Sequence, residues 1–249
     1  MQPEDITAII LAAGQGSRLR QSTEDPKILL RLQGASLLER HIRALRAAGV
    51  RRVVFVVGYR KEMVVREARR LAHDFETAFI ENDEYLVKGN GYSFFMGISR
   101  TSGRVLVFDG DVAYDPAILE RFLAQESPSA LLVGQGSVDD VECAKALADA
   151  DGYVRMTVEK RPLEAEELER YRFVGESMGI LLFGEDDRAA LVGACRDFFA
   201  AEENLGLNWE IILNRFLPRR RVPYHFDASE GWIEIDTPED LRRARELFA

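Results

Sequence analysis

Cysteine and histidine are scarce in this chain, with two of the first and three of the second in 249 residues. Cys143 and Cys195 stand far apart, and neither has a second cysteine or a histidine at metal-ligand spacing. That excludes a disulfide framework and a structural zinc site, and points to a reducing cytoplasm. Met1–Asp5 lacks the basic start of a secretory leader, which points the same way. Long apolar runs are missing too. Ile6–Ala13 is far short of the roughly 20 residues that span a bilayer, so no membrane insertion is expected. Positive charge is in deficit: 33 Lys and Arg against 42 Asp and Glu leave a net charge of −9. A nucleic-acid partner is thereby disfavoured, and an anionic ligand must be met by a few placed cations. No internal repeat, linker or low-complexity segment appears.

What is present suits one α/β core, with 47% hydrophobic and 30% charged residues. Thr7–Ala13 is short, apolar and followed by glycine, the pattern of a strand buried on both faces. In Ser36–Val50 the stripe Leu38, Ile42, Leu45 marks a helix that Gly49 ends. Arg51–Tyr59 is a second strand, 61–75 a second helix, and 77–83 a third strand. Residues 89–101 open on glycines and continue with helical spacing, and Arg104–Val112 is a fourth strand. Strands alternating with helices predict a doubly wound, mostly parallel, Rossmann-like sheet, with ligands beyond the carboxyl ends of its strands.

After about residue 128 shorter strands follow at 129–137, 144–160 and 177–184, with a hairpin turn at Asp151-Gly152. Helices are expected at Asp186–Phe199 and Trp209–Leu217, and a strand at Val222–Asp227. A final helix is opened by Thr237 as N-cap and Pro238 in the first turn. The expectation is a single domain, 1–249. Its nucleotide-binding half is 1–127, and its acceptor-binding half, 128–249, adds a small β lobe to the same sheet.

Three places carry candidate chemistry. In "LAAGQGSRLR" Gly14 and Gly16 let backbone N–H groups approach a ligand. The dinucleotide pattern fails at Leu19 and the P-loop pattern lacks its Gly-Lys-Ser/Thr. On spacing alone a tight turn and a phosphate cradle remain equal, and Arg18 and Lys27 are either phosphate-neutralising or solvated cations. In "VFDGDVAYD" Gly110 permits a sharp exit that points Asp111 into the cleft, and "GWIEIDTPEDL" places Glu234 and Asp236 on one face by alternation. Asp111 and Asp236 can supply two carboxylates for Mg²⁺, or serve as turn and cap residues. Asp109 is read as structural. In "VKGNGYSFFMG" Asn90 sits between two glycines, as a helix-capping turn or as part of a binding loop. His41, His73 and His225 make no motif.

"LAAGQGSRLR" followed by "PKILLRLQGASLLERHIRALRAAGV" resembles the N-terminal signature of the nucleotidyltransferase (pyrophosphorylase) superfamily. The pattern is L-A-A-G-x-G-x-R-L, a spacer, P-K, and G-x-x-L-L-E before a helix. "GAS" at Gly34–Ser36 departs from the usual GKP or GRP. The resemblance implies that Ala12, Ala13 and Gly14 contact base and ribose, that Gly16, Arg18 and Lys27 hold phosphates, and that Asp111 and Asp236 bind magnesium. "GNGYS" is similar to a segment of a cytidylyltransferase branch acting on phosphocholine, inositol-1-phosphate or aminoalkylphosphonates. This puts Gly89, Asn90, Gly91 and Ser93 near a pyrimidine. Glu159-Lys160 resembles the family's acceptor-phosphate lysine, and Lys145 is set beside Lys160 on a neighbouring strand; for both, surface solvation is the alternative. "GESMG" and "NWEI" resemble acceptor segments that bring Glu176, Trp209 and Glu210 into an acidic-aromatic corner for an ammonium group or a polyol, though Trp209 can equally be core.

The expected activity is thus Mg²⁺-dependent cytidylyl transfer from CTP to a small phosphorylated alcohol, releasing pyrophosphate. A sugar-1-phosphate transferase using UTP or dTTP and a non-catalytic nucleotide sensor are the alternatives. The acceptor stays open, and an oligomer is compatible with the sequence.

Overall fold

A computed structural model describes residues 3–19 and 24–249; residues 1–2 and 20–23 lie outside the described residues. In chain order the elements are β1 (Ile6–Ala12), β2 (Arg31–Leu32), β3 (Ala35–Ser36), α1 (Leu37–Ala47), β4 (Arg52–Val57), α2 (Lys61–Leu71) and β5 (Glu76–Glu81). Next come α3 (Asn90–Ser99), β6 (Arg104–Asp109), β7 (Val112–Tyr114), α4 (Pro116–Leu123), β8 (Ala130–Gly134), β9 (Lys145–Ala148) and β10 (Val154–Val158). The chain continues with α5 (Ala165–Arg170), β11 (Arg172–Phe183), α6 (Glu185–Phe198), α7 (Trp209–Phe216), β12 (Tyr224–Phe226), β13 (Trp232–Glu234) and α8 (Pro238–Leu247).

The main sheet runs β10-β9-β11-β6-β1-β4-β5, with β8 and β12 branching from β11. The four strands β6-β1-β4-β5 are parallel, as the buried apolar runs predict. β1 is sandwiched: Ala8, Ile10 and Ala12 face one core, while Ile9, Leu11 and Ala13 face the other. From β1 the chain winds outward through α1, β4, α2 and β5, then returns through α3 to β6 on the other side of β1. This reversal sets a topological switch point at the carboxyl ends of β1 and β6, where such sheets place their ligands.

The second half joins the same sheet by antiparallel pairing. β11 pairs with β6 along Ile180–Phe183, with β9 along Arg172–Glu176, and with β8 on its other edge. It is one twelve-residue strand, starting five residues before the strand expected at 177–184, and Gly175 and Gly179 within it have positive φ. Two helices were not expected. α4 is capped by Asp115, whose side chain accepts from Ala117 N, and α5 by a Glu164/Glu167 capping box. α6 and α7 fall within one residue of expectation, and Thr237 caps α8 through Asp240 N. Cys143 and Cys195 are free and buried, and no helix among the described residues is long and apolar enough to cross a membrane.

One small device decides the site. After β6 the chain turns at Gly110, whose N–H donates to Leu11 O at 3.0 Å; a Cβ there would collide with that carbonyl. β7 then leaves the main sheet and pairs antiparallel with β13, Glu234 opposite Val112 and Trp232 opposite Tyr114. Ile235 N donates to Asp111 O at 3.1 Å, so the chain ends carrying Asp111 and Asp236 run side by side.

Candidate active site

The glycine loop folds over Lys27. Gly16 has φ +61, and a Cβ there would stand 2.7 Å from Lys27 Cγ, so glycine is required by both conformation and space. Lys27 follows Pro26 in a single turn, and its Nζ lies 3.0 Å from Asp111 Oδ2 and also bonds Asp236. Arg18 bonds Asp236 through one nitrogen and Glu142 through the other, at 3.1 Å. Among the described residues, Asp111, Glu234 and Asp236 form a group whose carboxylate oxygens lie within 4.8 Å of one another.

A cavity of about 220 Å³ opens at this point. Its wall includes Ala13, Gly14, Gly89, Asn90 and Ser93, together with Arg18, Asp111 and Asp236 and with Lys160, Trp209 and Glu210. Ala12, Gly16 and Lys27 line a smaller neighbouring recess that also touches Gly14, Gly110 and Asp111. Lys160 sits in the left-handed region with φ 54, an uncommon conformation for a non-glycine residue. The loop before α3 is anchored by buried Asn82, whose amide donates to Lys88 O and Ser93 Oγ, both at 2.9 Å.

Three expected site residues stand elsewhere. Lys145 is fully buried and donates to the carbonyls of Asp140, Cys143 (3.0 Å) and Arg161 (3.3 Å). Its ammonium is neither solvated nor free for a phosphate. Gly91 is absent from the cavity wall, because it packs against the backbone of Leu207–Trp209 where a side chain would not fit. Glu176 does not join Trp209 and Glu210; it lines a second, broader cavity of about 1050 Å³ with Cys143 and Trp232.

Other residues enter where the sequence did not assign them. Asp109 faces the cavity, and its two oxygens each accept from the Trp209 indole N–H at 3.2 Å, so Trp209 is both core and wall. Glu159, held by Asn208 Nδ2 at 2.8 and 3.0 Å, lies beside Glu210. Glu234 completes the carboxylate group, and its alternation with Asp236 was the available signal. Glu210 is 8% exposed and its Oε2 has no hydrogen-bond partner among the described residues.

Burial and mutual repulsion shape the charges. Burial pulls the Lys27 ammonium down, but the charges of Asp111 and Asp236 and the bonds to both outweigh it and hold the pKa above the ordinary lysine value. Burial, then Asp111 and Glu210, push Asp109 well above the usual carboxylate range; burial and Glu159 do the same to Glu210. Glu234 stands at the edge of the ribbon, beside Asp111 and Asp236. Desolvation and the charges of Asp111, Asp236 and Asp109 raise its pKa as well. The site is a nest of carboxylates with two cations, Lys27 and Arg18, docked on them. It can accept a divalent ion, or a ligand bringing phosphates to the cations and donors to Glu210.

A glycine loop over a lysine and an acidic ribbon at the switch point of a doubly wound sheet define the nucleotidyltransferase class. Residues 8–156 match the model of the MobA-like NTP transferase domain, and the chain belongs to that family. A relative from Aquifex aeolicus (strain VF5), the bifunctional IPC transferase and DIPP synthase, is 30% identical over 243 residues, covering 97% of this chain and 51% of that protein. The chain thus spans about half the length of the curated relatives it matches. The inositol-1-phosphate CTP transferase from T. maritima superposes with a TM-score of 0.77 at 22% identity, covering 100% of this chain and 96% of that one. The CTP:phosphocholine cytidylyltransferase from Streptococcus pneumoniae gives 0.78 at 21%, covering 98% and 100%. These two likenesses establish the fold.

Proposed function

We propose that this chain is a Mg²⁺-dependent cytidylyltransferase that joins CMP from CTP to a small phosphorylated alcohol or phosphonate and releases pyrophosphate. The observation that carries this reading is the Asp111–Glu234–Asp236 group with Lys27 and Arg18 docked on it at the switch point. Oxygen donors suit Mg²⁺, which takes one or two protein carboxylates and fills its shell with phosphate oxygens and water. Asp111 and Asp236 would hold the ion, with Glu234 beside them. When bound, the ion neutralises phosphate charge as a Lewis acid.

The chain's own groups do the rest. Lys27 and Arg18 exchange their carboxylate partners for the nucleotide phosphates and neutralise them through the transition state. Gly14 keeps side chains away from the approaching phosphates. Ala13, Gly89, Asn90 and Ser93 form the nucleoside side; Lys160 meets the acceptor's phosphate. That phosphate is already an anion, so its oxygen attacks the α-phosphorus without a general base as the bond to the β-phosphate oxygen breaks. Catalysis is then alignment and charge neutralisation. Residues 1–127 supply the nucleotide side and 128–249 the acceptor side of one domain.

The unpartnered Glu210 Oε2 next to Glu159 calls for hydrogen-bond donors on the acceptor. Phosphocholine lacks such a donor, and attraction to its charge must suffice; phosphoethanolamine, aminoethylphosphonate and inositol-1-phosphate have donors. Pyrophosphate release from four NTPs against these four acceptors and glucose-1-phosphate tests the reading. CTP with one of the four should dominate. UTP or dTTP with glucose-1-phosphate as the best pair would establish a sugar nucleotidyltransferase instead, and CTP binding without release across the panel would establish a sensor.

A further inference from the structure

We propose that the His41–Tyr114 pair positions the carboxylates of the site without touching substrate. The inference rests on the reading that Asp111, Glu234 and Asp236 hold a divalent cation. Those residues sit on or beside the β7–β13 ribbon, which pairs through only three residues on each strand and lies outside the main sheet. A two-stranded ribbon is marginal by itself, so the place of its carboxylates depends on what pins it.

Tyr114 is the pin. It is 4% exposed, and its ring stacks on Phe108 of β6 with centroids 6.2 Å apart and planes 13° from parallel. Its hydroxyl meets Nδ1 of His41, on α1, at 3.3 Å. His41 is 1% exposed and sets its ring edgewise to Phe108 at 5.5 Å. Three rings therefore join the ribbon to α1 and to the strand that ends in Asp109. Among the described residues the imidazole's side-chain partner is the Tyr114 hydroxyl, and its ring also lies against the backbone carbonyl of Gly110, one residue before Asp111. An apolar side chain would fill this position without burying a polar group. Its polar contacts with Tyr114 and with Gly110 account for a histidine here. Neither residue lines the cavity, so both act through the backbone: Tyr114 lies three residues beyond Asp111, whose carbonyl is tied to Ile235.

The test is Mn²⁺ binding to the nucleotide-free protein, followed by water-proton relaxation. A melt in EDTA identifies the folded variants. Tyr114→Phe removes one oxygen, and His41→Phe removes the partner while keeping a ring. Each should weaken Mn²⁺ binding about tenfold. His41→Asn can put its amide nitrogen where Nδ1 stands, and should restore near-wild-type affinity. Wild-type affinity in both phenylalanine variants, or a loss in His41→Asn equal to that in His41→Phe, would overturn the inference. Should the wild type take up no Mn²⁺ either alone or with CTP present, the cation reading itself would fall, and this inference with it.

Discussion

Lys27 and Asp111, 84 residues apart, are joined by a 3.0 Å ion pair that fastens the glycine loop to the acidic ribbon. The same ammonium bonds Asp236, so one cation neutralises two carboxylates that would otherwise repel. The pair gives Lys27 two roles with opposite mutational signs. Lys27→Met should bind Mn²⁺ more tightly than wild type without nucleotide, because the ammonium no longer competes for Asp111 and Asp236. Its pyrophosphate release should fall by about 10²-fold or more, as expected when a charge-stabilising donor is removed. Relaxation titration and a pyrophosphate assay on one preparation check both signs.

Lys145 and Lys160 should part company when substituted. Lys145→Met leaves the buried Cys143 carbonyl and the part-buried carbonyls of Asp140 and Arg161 without their donor and should lower stability by about 1–3 kcal/mol, read as a shifted denaturant midpoint. Lys160→Ala should melt close to wild type while raising KM for the acceptor with little change in KM for CTP. An acceptor-KM effect in folded Lys145→Met comparable to that of Lys160→Ala would restore Lys145 to the site.

These two lysines also show what sequence can and cannot resolve. The parallel strands were legible because burial on both faces demands continuous apolar runs, as in Ile6–Ala12 and Arg52–Val57. The acidic motifs were legible because Gly110 and the alternation of Glu234 with Asp236 have direct geometric meaning. A lysine bonded to backbone carbonyls reads the same as a solvated one, since its partners come from chain segments set only by the fold. Likewise the sequence marks only 177–184 as strand, and it is the pairing with β8 and β9 that shows β11 beginning at Arg172. Gly179 has φ +66, and a Cβ there would stand 2.8 Å from Asp109 Oδ2, so glycine leaves room for the Asp109 carboxylate. Glu176 was grouped with Trp209 and Glu210 from sequence likeness alone; its place between Cys143 and Gly136 puts it in the neighbouring cavity.

Stability in acid should depend on Asp227. Burial opposes its charge, but bonds from Arg121 Nε at 2.7 Å and from Ser229 outweigh burial and hold its pKa at about 2, against an ordinary value of 3.8. A carboxylate held below its unfolded value stabilises the fold above pH 3.8, and that contribution is lost as pH falls through 2. Arg121 is half exposed, so the contribution is on the order of 1 kcal/mol. Asp227→Asn should therefore be less stable than wild type at pH 6, and the gap should close by pH 2. Urea midpoints at pH 6, 4 and 2 measure it.

The central claim is that Asp111 and Asp236 share one divalent ion that pyrophosphate release requires. The most direct measurement is pyrophosphate release by wild type, Asp111→Asn and Asp236→Asn at saturating CTP and acceptor, with Mg²⁺ or with EDTA. Wild type should release pyrophosphate only with Mg²⁺, and each folded variant should lose about 10²-fold or more. Turnover at the wild-type rate in both asparagine variants, or undiminished release in EDTA, would contradict it.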